Sequence, residues 1–192
     1  MEHSAERNNE EGRFTAPVEQ VLREAGWYPG RTVDEQRLEQ WYVINMTYGP
    51  GHLRIFPQAL RILREFGDLV VKQEMTGVTC VRQAFRLDPL ELPGNLEDQW
   101  IIYEWLLEET LFPLGRLGPS DEAALAVATS GRIFDLNMCG SGIYFLGDNI
   151  EQALETLIFG IMPLDMHFTH YERRTEEAAR IYAVADRMLK SQ

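Results

Sequence analysis

The sequence predicts an α+β fold, a twisted antiparallel β-sheet packed against helices, and three observations carry that prediction. The stretch AALAVATSGRIFDLNMCGSGIYFLGDNIEQALETLIFG, residues 123–160, reads as strand, turn, strand, glycine-bracketed link, strand and amphipathic helix. The residues before it fall into helical spacings, each closed by a glycine or proline. Hydrophobic residues make up 45% of the 192-residue chain, enough to fill one core without disulfide or metal staples. The order of helices, strands, helix, strands and helices places the helices on one side of the sheet.

Residues 1–13, polar and without periodicity, are expected to form a mobile tail. Thr15 and Pro17 open a first helix with Val18, Val21, Leu22 and Ala25 on one face, and Gly26 ends it. Trp27 to Arg31 then turn the chain. Asp34 is placed to cap a second helix through Arg37, Leu38, Trp41 and Val43. Pro57 opens a third helix that runs to Phe66 and stops at Gly67. Leu69 to Lys72 reads as a strand, and a second is expected within Val78 to Phe85, after the turn at Thr76-Gly77. Asn95 caps a strongly aromatic helix, LEDQWIIYEWLLEETLF, that ends before Pro113. Leu114 to Gly118 reads as a short strand or turn.

In the central stretch Ala123 to Ala128 and Ile133 to Met138 form a hairpin, with Gly131 able to take the positive φ of a tight turn. Ile143 to Leu146 is a third strand, and Asp148 or Asn149 caps a helix from Ile150 whose Ala153, Leu154, Leu157 and Ile158 share a face. Met162 to Tyr171 is irregular, and Thr175 caps a last helix with Ala178, Ile181, Tyr182, Ala185 and Leu189 in its apolar stripe.

The net charge of −12 sits in one part of the chain. Between Leu87 and Glu172 there are 15 Asp and Glu against only Arg116 and Arg132. Such a field speeds encounter with a basic partner and repels nucleic acid, so no direct nucleic-acid ligand is expected. The N-terminus lacks the apolar run of a signal peptide, and no stretch is apolar enough to span a membrane. Two distant cysteines, Cys80 and Cys139, fit a reducing compartment. A soluble, cytoplasmic protein is the expectation.

Chemistry-bearing patterns are sparse. Asp165, His167 and His170 have a metal-like spacing that matches no established ligand pattern, so no metal is expected. Glu104, Glu108 and Glu109 on the aromatic helix, with Glu97 and Asp98 in its first turn, would suit a carboxylate pair but read as a solvated face. No nucleophile–base signature or dinucleotide fingerprint appears, so neither an enzyme nor a cofactor is expected. Trp100, Tyr103 and Trp105 on the same helix suit either a core or a recognition surface.

The motifs VLREAGWYPGR, PQALRILREFGDLVV, Leu87-Asp88-Pro89 and LFPLGRLG…ALAVATSGRIFDL…GIYFLGDNIEQALETLIFG, in that order, resemble the third subfamily of the SUKH superfamily over residues 14–160. The resemblance implies an α+β domain and an immunity protein that binds and neutralises a polymorphic or contact-dependent bacterial toxin, often a nuclease or nucleic-acid deaminase. Residues 161–192 then form a helical extension packed on that domain. Charge and resemblance meet in one expectation: a toxin that holds phosphates presents a basic cleft, and an acidic protein can cover it. The expected partner surface takes charge from Glu97, Asp98, Glu104, Glu108, Glu109, Asp121 and Glu122, and an anchor from Trp100 or Trp105. The alternatives are a general interaction or scaffold module, and then a hydrolase or metal enzyme. Either a monomer or a homodimer fits.

Overall fold

The computed structural model describes residues 12–45, 52–92, 96–118, 123–137 and 142–166, with backbone only at Asn45, His52, Leu96, Glu97 and Asp98. The chain opens with α1 (Ala16–Glu24), α2 (Glu35–Trp41), β1 (Val43–Asn45), β2 (His52–Arg54) and α3 (Pro57–Phe66). It continues through β3 (Val70–Val71), β4 (Phe85–Arg86), α4 (Leu96–Leu107), β5 (Leu111–Leu117), β6 (Ala123–Ala128) and β7 (Ile133–Asn137). It ends in β8 (Ile143–Gly147), α5 (Ile150–Phe159) and β9 (Leu164–Asp165). Strands β3 to β9 form one seven-stranded sheet in sequence order, every pair antiparallel, and β1–β2 make a separate hairpin. This is the expected α+β class, built as a meander with helices inserted after β4 and β8.

Local signals place the helices well. Asp34 accepts the N–H of Gln36 at the start of α2, and Asn149 accepts that of Gln152 at the start of α5. Pro stands in the first turn of both α1 and α3. Helix α1 closes with its Ala25 N–H on the Val21 carbonyl, and Gly26 follows at φ 100.

Four boundaries differ from the sequence reading. The second helix stops at Trp41, because Val43 leaves it to pair with Arg54 in the β1–β2 hairpin. The aromatic helix stops at Leu107, where Glu108 takes φ 56, and Leu111-Phe112 joins a seven-residue strand against Ala128 and Val127. Leu and Phe suit either state, and the ladder partner decides between them. The strand sought within Val78 to Phe85 is only Phe85–Arg86, and Thr76 and Val81 form an isolated bridge instead. Leu164–Asp165, expected to be irregular, adds β9 beside β8. The last helix, residues 1–11 of the N-terminal tail, the Asn95 cap, Cys139 and the Gly140-Ser141 link lie outside the described residues.

The core sits on both faces of the sheet. Successive residues Ala124 to Ala128 and Leu111 to Leu114 are buried, whereas a sheet covered on one side would alternate buried with exposed. The sequence reading, which set the helices on one side, did not anticipate that both faces are covered. Phe56, at the start of α3, packs edge-on against Phe112 of β5. Phe14, Trp27 and Phe66 cluster between α1 and α3, and Arg13 joins Glu65 of α3 to Glu151 of α5 at 2.5 Å each. Asp88, the one buried charged residue of the described core, accepts from Trp41 Nε1 (3.1 Å), the Leu90 N–H (3.0 Å) and Arg37 (2.5 Å). Arg37 also lies over the Trp41 ring, so helix α2 is locked to the segment that follows β4.

Gly115 lies at a register shift between β5 and β6, at φ 153, with its α-carbon face against the Arg86 carbonyl of β4. A side chain there would collide with backbone that cannot yield. Gly115→Ala is expected to lower stability by about 2–4 kcal/mol in urea unfolding, whereas Gly118→Ala, which meets only the end of Gln83, should cost less.

Candidate partner-binding surface

Helix α4 is hydrophobic around most of its circumference, so it has both a face to bury and an apolar face left over. Trp100, Tyr103, Leu106 and Leu107, at spacings of three and four, turn inward and are buried. The Tyr103 hydroxyl donates to the Asn137 carbonyl at the end of β7, which ties the helix to the sheet. Ile101, Ile102 and Trp105 turn outward, at 41, 39 and 41% exposure. Glu108, also exposed, follows them at the helix end. An aromatic and two β-branched apolar side chains beside an acid form the composition of an interface core with a polar rim.

The acids expected at this surface divide sharply once the packing is known. Glu104 turns inward and accepts the N–H of Leu111, the first residue of β5, at 2.8 Å. Burial pushes its carboxyl above the ordinary value, opposed by that N–H and by the indole of Trp100, whose own N–H lacks the geometry of a full hydrogen bond. Glu109 accepts from the Ser130 N–H (2.9 Å) and from the Arg132 guanidinium, bracing the β6–β7 turn. Burial raises its carboxyl, but Arg132 and Ser130 outweigh it and hold the group below the usual carboxylate range. Trp100 is fully buried, so of the two aromatic anchors considered only Trp105 reaches the surface. The side chains of Glu97 and Asp98, and all of Asp121 and Glu122, lie outside the described residues.

The same sorting applies across the acid-rich stretch. Asp88 is held by Arg37 and Trp41, Glu151 by Arg13, and Glu91 by both Arg86 and Arg116. Arg86 and Arg116 are direct neighbours across β4 and β5, so Glu91 relieves their mutual repulsion. The two arginines of the stretch are thus each engaged by a local carboxylate. Asp135 differs from all of these. It stands mid-strand in β7 between Leu125 and Tyr144, and its Oδ1 is buried without a hydrogen-bond partner. Burial pushes its pKa up to about 7.

The sequence reading did not single out Ile101 and Ile102. Their signal was present: a helix with too many apolar positions for one stripe must show some of them. Among the described residues, no group of three or more His, Cys, Asp or Glu is arranged to hold a metal ion. Asp165 lies in β9, and His167 and His170 fall outside the described residues.

The fold and this helix face define an α+β protein with a candidate docking surface. The SUKH-3 immunity protein family matches residues 14–160, and the chain belongs to that family. No curated protein and no solved structure matches it significantly. Among the described residues, no helix is long and apolar enough to cross a membrane.

Because the folded Asp135 carboxyl binds its proton more tightly than the unfolded one, its contribution to stability is intact at low pH. It is lost as pH rises from about 4 through about 7. Asp135→Asn, which keeps the neutral shape, should match wild type near pH 4. Above pH 7 it should be more stable by about 2–4 kcal/mol, and parallel stability–pH curves in denaturant titrations would contradict the assignment.

Proposed function

We propose that this immunity-family chain protects the cell that makes it by binding and neutralising a cognate toxin domain in the cytoplasm, with no catalysis of its own. The α4 face of Ile101, Ile102, Trp105 and Glu108 is the proposed centre of that contact. The observation that supports it is the exposure of an aromatic–aliphatic cluster on the helix that opens the most acidic stretch of the chain. Trp105 serves as the anchor in an apolar pocket of the toxin, where a large flat side chain gives the most contact for the least lost freedom. Glu108, with Glu97 and Asp98 from the first turn of the same helix and Asp121 and Glu122 further along the chain, supplies the field that steers a basic toxin cleft onto it. Glu104 and Glu109 support the surface by holding α4 and the β6–β7 turn rather than by touching the toxin.

A nuclease or nucleic-acid deaminase is the toxin class that fits, because an enzyme holding phosphates carries the complementary positive cleft. Blocking that cleft with carboxylates excludes its substrate without copying the substrate's chemistry.

The test is association with the product of the adjacent gene. Trp105→Ala is expected to weaken binding about 10- to 100-fold, mainly through faster dissociation. Glu108→Lys should slow association at low salt, with the difference fading as salt screens the field. Unchanged kinetics in both folded variants would reject this surface. Failure of that product to bind the wild-type chain would favour a general interaction module.

A further inference from the structure

We infer that a second surface, remote in sequence from α4 and formed by the turn at residues 75–82 and the segment after α5, is where this chain binds a second copy of itself. The backbone brings the two segments together. Val78 N–H donates to the Phe159 carbonyl (2.8 Å), and the N–H groups of Thr79 and Cys80 donate to that of Gly160 (2.9 and 3.0 Å). The Met162 N–H in turn donates to Thr79 Oγ1 (2.7 Å). Two glycines permit this approach: a Cβ on Gly77 would lie 2.5 Å from the Gly160 α-carbon, and one on Gly160 2.7 Å from that of Gly77. Gly160 also caps α5 in the left-handed region, so one residue both ends the helix and receives the turn.

The side chains around this junction face solvent. Met75, Val78, Val81, Ile161, Met162 and Leu164 are 41–72% exposed, and they make up much of the large apolar surface of the described residues. Summed over the six residues the exposed area is roughly 600–700 Å², of the order of the largest apolar patch of an ordinary monomer. Paired across a two-fold axis, two such patches bury about 1,300 Å², inside the range of stable interfaces.

Charge selects the occupant. The 75–82 turn carries one charged residue, the cationic Arg82, and Leu157–Leu164 carries none, in a chain whose net charge is −12. A basic toxin gains nothing from steering onto a patch whose one charge is the cationic Arg82. Another copy of this acidic chain is repelled everywhere except at such a patch. Self-association here uses none of the α4 residues, so this inference stands whether or not the proposed toxin contact is correct.

The experiment is sedimentation velocity of the full chain from about 1 to about 100 µM, at low and high salt, beside Val78→Asp and Met162→Asp. Both positions are exposed, so the variants should keep the wild-type circular dichroism. The expected result is a wild-type dimer that strengthens with salt, as repulsion between copies is screened, and variants that stay monomeric. A wild-type chain that is monomeric throughout overturns the inference. If a truncation after Met166 then dimerises, the chain's own C-terminal segment is the cover. If instead Val78→Asp weakens association with the adjacent gene product, the patch belongs to that partner. A dimer that both variants leave intact would place the interface elsewhere and overturn it equally.

Discussion

Covering both faces of β5 and β6 is the constraint on which the rest of the molecule depends. A one-faced sheet leaves room for polar side chains at every second residue, but here Ala124 to Ala128 are buried in succession. Alanines at 124, 126 and 128 leave a shallow face, and Leu125 and Val127 fill the opposite one against Phe112. Any charge near these strands must therefore find a partner or lose its proton. Glu109 finds Arg132, and Glu104 finds the Leu111 N–H. Asp135 finds no hydrogen-bond partner for Oδ1, and its raised pKa is the consequence.

That constraint explains why charge along the chain is a poor guide to charge on the surface. A run of acids reads as an acidic face, yet several of them hold the framework together: Asp88 locks α2, Glu91 bridges two arginines, and Glu151 shares Arg13 with Glu65. Glu108 remains exposed beside Trp105. The proposed partner surface is consequently smaller and more apolar than a count of carboxylates suggests, with its affinity carried by burial and its encounter rate by charge.

Two exposed apolar areas with different electrical surroundings divide the labour proposed for this protein. The α4 face lies in acid-rich sequence and suits a basic partner. The junction of the 75–82 turn with the end of α5 carries no carboxylate, only Arg82, and suits a like-charged copy. Each area rests on hydrogen bonds, Tyr103 to the Asn137 carbonyl in one case and the N–H groups of Val78, Thr79 and Cys80 to the Phe159 and Gly160 carbonyls in the other.

The sequence by itself determined what depends on neighbours along the chain. The helix starts at Asp34, at Pro57 and at Asp148 or Asn149, the stops at Gly26 and Gly67, the hairpin of Ala123 to Ala128 with the strand from Ile133 and the α+β class all follow from spacing and capping. The motif order over residues 14–160 also carried the family. Tertiary structure alone decided the rest. Val43 and Leu111-Phe112 became strands because distant residues offered ladder partners, and propensity does not separate helix from strand for such residues. Trp100 and Trp105 look alike in sequence, five residues apart on one helix. Only the packing of α4 against the sheet buried the first and left the second at the surface, because burial is a property of what lies opposite a side chain.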